Sequence, residues 1–87
     1  MDKRVKRFQE VAKKRWQCLN SGDSKNGNEC YDILLKIAKE LREEKLLIKL
    51  EILLNEKNEG VIFEASSKLL TINSKKALKA IKKITSK

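Results

Sequence analysis

Proline and histidine are both missing from this chain of 87 residues, and glycine occurs only at Gly22, Gly27 and Gly60. A chain so poor in proline and glycine lacks the turn formers that an all-β domain needs at every hairpin. Its aromatic residues are Phe8, Trp16, Tyr31 and Phe63 alone, so the bulky β formers are scarce as well. The lack of histidine removes the usual base beside a cysteine nucleophile, and Cys18 and Cys30 would supply only half of a four-coordinate zinc shell. Gly22, Gly27 and Gly60 fit no phosphate-loop spacing. No apolar run approaches the roughly 20 residues of a membrane span, and the basic start MDKRVKRFQE has no apolar stretch behind it. These absences point to a soluble, cytoplasmic, helical protein with no metal, no cofactor and no catalytic chemistry.

What the chain does contain is leucine, isoleucine and lysine. Hydrophobic residues make up 40% and charged residues 38%, enough apolar content to fold rather than stay disordered. The length fits one domain, residues 1–87, which buries only about 60% of the surface its unfolded chain exposes.

Val5, Phe8, Ala12, Trp16 and Leu19 recur at threes and fours and predict an amphipathic helix over Asp2–Asn20, with Trp16 in the core. NSGDSKNGN, Asn20–Asn28, reads as a loop in which Asp23, Asn26 and Asn28 are candidate caps. Cys18 and Cys30 flank this loop, close enough in sequence for a disulfide to be geometrically conceivable. A second helix follows to about Arg42, burying Tyr31, Leu34, Ile37, Ala38 and Leu41. Leu46, Leu47, Leu50, Leu53 and Leu54 start a stripe out of phase with the last, which places a corner near Glu43–Lys45. Asn58 caps a fourth helix with Val61, Ile62, Ala65, Leu69 and Leu70 inward, and Asn73 or Ser74 caps a fifth with Ala77, Leu78, Ile81 and Ile84. The expectation is an all-α fold of about five antiparallel helices joined by short loops. Asp32 is expected to accept a hydrogen bond or a charge from a neighbouring helix.

Charge is unevenly spread. Residues 1–20 carry +5, residues 21–58 carry −1 and residues 59–87 carry +5, within a total of +9. The excess sits on the first helix and the last, and the candidate contacts for an acidic partner or a polyanion are Arg4, Arg7, Lys14, Lys75, Lys79, Lys82 and Lys83. The carboxylates Asp32, Glu40, Glu43, Glu44 and Glu51 interleave with lysines, the pattern of a solvated helix face rather than an acid–base pair.

VIFEASSKLL, Val61–Leu70, resembles the second helix of a HEAT repeat, with Val61, Ala65, Ser66 and Leu69 on its pattern and Ile62 where that pattern usually has arginine. GDSKNGNECYDILLKIAKELREE, a Leu-rich helix and then VIFEASSKLLTINSKKALKAIKKI together resemble the small bacterial HEAT-like family called domain of unknown function 2019. Asn28, Tyr31, Asp32, Glu40, Leu41, Arg42, Ala65, Ala77 and Leu78 carry that resemblance. It implies a HEAT-like α-solenoid fragment in a bacterial cytoplasmic protein and no particular activity. The expected function is therefore a non-enzymatic protein-interaction module of the adaptor or toxin-immunity type, monomeric or weakly dimeric, whose partner is acidic. The alternative is nucleic-acid binding without sequence readout, through the first and last helices.

Overall fold

Asp2 starts the first helix, its carboxylate accepting the Arg4 amide at 2.9 Å. The computed structural model describes residues 2–85, and within them α1 spans Lys3–Ser21, α2 Ser24–Glu43, α3 Glu59–Leu69 and α4 Lys75–Thr85. A 3-10 helix over Leu47–Asn55 is the fifth helical element, and a single 3-10 turn, Leu70–Ile72, prolongs α3. No strand occurs among the described residues. The expected all-α class and count of five helices are thus observed.

The expected loop over Asn20–Asn28 shrinks to a two-residue turn. Gly22 ends α1 in the left-handed conformation, φ +79°, and the Asp23 amide donates to the Cys18 carbonyl at 2.8 Å. Asp23 then caps α2 at once by accepting the Asn26 amide. Ser24–Asn28 look like loop residues but form the opening turns of α2, because the Asp23 cap starts the helix ahead of them. Cys18 and Cys30 are buried free thiols.

The corner expected at Glu43–Lys45 is present: α2 stops at Glu43, Lys45 turns left-handed at φ 59°, and the Leu46 amide returns to the Leu41 carbonyl at 2.7 Å. The next element departs from an α-helix. Leu47, Leu50 and Leu53 recur every third residue and all three are buried, the period of a 3-10 helix, while Leu46 and Leu54 are half-buried. Asn58 caps α3 through the Val61 amide as expected. Of the two candidates for the last cap, Ser74 does it, accepting the Ala77 amide at 3.2 Å, while Asn73 is the left-handed terminator at φ 58°.

Val5, Phe8 and Ala12 from α1, Leu34, Ile37 and Leu41 from α2, the three leucines of the 3-10 helix and Val61, Ala65 and Leu69 from α3 form the core, which Ala77 of α4 closes. Leu19, Tyr31 and Leu78, expected inward, are exposed, and the side chain of Ile84 lies outside the described ones. Trp16 packs edge-on to Phe63 and over Gly60, which leaves it half-buried rather than central. With extents of 32 × 31 × 20 Å, the molecule is about two helices thick. α1 lies against both α2 and α3, and α3 against the 3-10 helix and α4, but α2 and α3 do not pack along each other. That gap positions the site.

Candidate functional site

The residues that flank the gap between α2 and α3 begin with a polar cluster that joins three helices. Arg15 of α1 donates to Glu64 of α3, a carboxylate only 2% exposed. The same guanidinium lies 4.9 Å from the centre of the Tyr31 ring on α2, and the Lys68 ammonium of α3 lies 5.1 Å from that ring. Burial pushes the Lys68 ammonium below the ordinary lysine range, against the pull of Glu64, and the Arg15 charge adds to the depression. Lys68 is therefore a partly desolvated cation.

From this cluster a groove runs between α2 and α3. Its first part is a cleft of about 390 Å³ with Leu35, Ala38 and Leu47 as floor and Lys39, Arg42 and Lys68 at the rim. It meets a second cleft, of about 240 Å³, at Arg42 and Leu47, where Lys45, Ile48 and Ile72 continue the same character. Among the described residues, no carboxylate lines either cleft. Among the described residues, none of Lys39, Arg42, Lys45 and Lys68 has a carboxylate oxygen within 4.0 Å. An apolar floor under an all-cationic rim can hold an apolar stripe flanked by acids.

The residues expected from sequence fall elsewhere and do not converge. Arg4 is held by Asp2 and by Glu44 at the end of α2, so it ties the start of α1 to the corner. Those carboxylates raise its affinity for its proton further. Arg7 and Lys14 are exposed on α1. Lys75, Lys79, Lys82 and Lys83 are exposed on α4, which lies against α3 rather than against α1. Lys79 and Lys83 border a cleft of about 670 Å³ with Lys57 and Lys76, but Glu51, Glu56 and Glu59 share it, which offsets three of the four cations. Two of these acids have other duties: Glu51 accepts the Ser74 hydroxyl, and Glu56 accepts the Gln9 amide.

Asp32, expected to bond to a neighbouring helix, is exposed on α2 with no partner among the described residues. The rim residues Lys39, Arg42 and Lys45 were hidden by charge counting, since they sit in the one segment whose net charge is negative. The usable signal is Leu35. It is apolar yet off the buried stripe, and at helical spacing Tyr31, Leu35, Ala38, Lys39 and Arg42 share one face while Glu29, Glu40 and Glu43 lie on another. Among the described residues, no group of His, Cys, Asp or Glu is placed to hold a metal ion, and no helix is long and apolar enough to cross a membrane. Comparison of the chain with protein-family models, curated proteins and solved structures finds no match.

Proposed function

We propose that this chain is a non-enzymatic protein-interaction module on a HEAT-like helical stack, an adaptor or immunity-type protein of the bacterial cytoplasm whose partner presents an acidic surface. The observation that carries this reading is the exposed apolar surface at Leu35, Ile48 and Ile72 bordered by cations without carboxylate partners. The HEAT-like arrangement is supported by the pairing of sequence neighbours, α1 with α2, the 3-10 helix with α3 and α3 with α4. The likeness to the domain of unknown function 2019 family rests on the sequence; of the apolar residues that carry it, Leu41, Ala65 and Ala77 are buried and Tyr31 and Leu78 are exposed. Against catalysis stands the chemistry of the groups present: burial pushes the Cys30 thiol up, away from the reactive thiolate, and Glu64 is spent on Arg15.

The test is affinity capture from the native cell, with a protein of low isoelectric point expected to co-purify and to be released by salt. Capture of nothing above background, or of nucleic acid alone, contradicts the reading.

A second reading, non-sequence-specific nucleic-acid binding through α1 and α4, draws on the lysine face of α4, Lys75, Lys79, Lys82 and Lys83. It predicts duplex affinity that falls steeply with salt, and no mobility shift at about 50 mM salt ends it.

A further inference from the structure

We infer that the groove between α2 and α3 receives an acidic amphipathic helix of the partner, its apolar stripe on Leu35, Ala38 and Leu47 and its carboxylates on Lys39 and Arg42 at one wall and Lys68 at the other. The inference rests on the protein-interaction reading and adds the form of the partner's binding segment.

Three observations carry it. First, the walls are helices, whose backbone amides and carbonyls are already bonded within each helix, and no strand edge exists among the described residues. An extended segment laid on the apolar floor would leave its own buried backbone groups without partners, which is costly. A helix bonds its own backbone and can be buried there freely. Second, α2 and α3 both rest on α1 without packing along each other, so the groove is a vacancy between helices of the kind that a further helix fills by side-chain interdigitation. From Leu35 to Arg42 along α2 the groove runs roughly 10 Å, which matches about two turns of a guest helix. Third, charge selects the guest. The rim carries four cations and no carboxylate, and the half-buried Lys68 gains a counter-charge when an acid docks beside it. A second copy of this chain, at +9, brings the wrong sign.

The probe is a fluorescein-labelled synthetic peptide of about 18 residues with a leucine stripe flanked on both sides by glutamates. Its controls are a scrambled peptide of the same composition, which keeps the charge and loses the stripe, and a duplex oligonucleotide. Fluorescence anisotropy gives affinity, and amide NMR shifts of the full chain locate the site. The expected result is binding at least about tenfold tighter than the scramble, shifts at Leu35, Ala38, Lys39, Leu47 and Lys68, and a rise in peptide helicity. Lys39→Glu with Arg42→Glu, both exposed and thus compatible with folding, should weaken it by at least about tenfold. Leu35→Ser should weaken it with the charge intact. Equal binding of peptide and scramble with shifts on α4 overturns the groove while leaving an acidic partner in place. Binding of the duplex alone overturns both the groove and the protein-interaction reading, whereas binding of none of the probes overturns the groove inference alone. Peptide-independent dimerisation through the groove overturns the inference too.

Discussion

Gly60 and Gly27 both lie inside helices, yet the molecule needs glycine at only one of them. A Cβ on Gly60 falls within the Trp16 indole, which Phe63 holds from another side at 5.8 Å between ring centres. A Cβ on Gly27 meets Cys18 and Leu19 at 3.6 and 3.8 Å, ordinary van der Waals contact. Gly60→Ala should therefore lower stability by about 2 kcal/mol, or a melting temperature by roughly 10 °C. Gly27→Ala should raise stability by about 0.5–1 kcal/mol through helix propensity. Thermal unfolding of the two variants checks the pair, and equal losses would remove the Trp16–Gly60 contact from the account. Sequence reading reached Trp16 as a core residue but missed its seat, because the residue that makes room for it is 44 positions away and has no side chain to mark the place.

Between helices, the Arg15–Glu64 pair is the polar tie from α1 to α3. Arg15→Met leaves a buried carboxylate without its counter-charge and should cost about 3–5 kcal/mol, whereas Arg15→Met with Glu64→Met should recover most of that loss. Urea unfolding of the double-mutant cycle measures the coupling, and additive losses would mean that the pair contributes nothing as a pair. The helix starts carry a pH dependence of known sign. Donation from Arg4, chiefly its amide, holds Asp2 below the ordinary aspartate value of 3.8, and donation from the Asn26 side chain and amide, with the nearby Lys14 charge, does the same for Asp23. A folded value below the unfolded one contributes stability that is complete above the unfolded value and is lost as pH falls through the folded one. Asp2→Asn with Asp23→Asn, which keeps cap acceptors but cannot titrate, should therefore flatten the fall in urea midpoint between about pH 4 and pH 2. An unchanged slope would contradict the cap assignment.

Element identity was legible where period and cap agreed, as at Asn58 with Val61, Ala65 and Leu69. It failed where two templates fit the same residues. Leu46, Leu47, Leu50, Leu53 and Leu54 fit a 3.6 repeat, whereas Leu47, Leu50 and Leu53 alone also fit a 3.0 repeat, and it is these three that the fold buries. Ser24–Asn28 failed for a different reason, since small polar residues serve a loop and a helix N-terminus equally well.

For the whole molecule, the charge excess at the two ends of the chain, visible in the composition, does not become one surface. Arg4 is tied to two carboxylates, α1 and α4 sit against α3 rather than together, and the cleft beside α4 mixes lysines with Glu51, Glu56 and Glu59. Three of the four cations of the one-signed surface, Lys39, Arg42 and Lys45, come instead from the segment of net charge −1, because folding turns Lys39 and Arg42 to one side of α2 and its glutamates to another. Counting charge along the chain cannot see that, whereas the misplaced apolar Leu35 can be read from it. Two charge reversals of the full chain therefore separate the surfaces most directly: Lys39→Glu with Arg42→Glu in the groove, and Lys75→Glu with Lys79→Glu and Lys82→Glu on α4. Measured by quantitative capture of the native partner at fixed salt, the groove variant should lose at least about ninety per cent of the partner that the parent retains, and the α4 variant should keep most of it. The reverse order, with both variants folded, would contradict the groove as the binding surface.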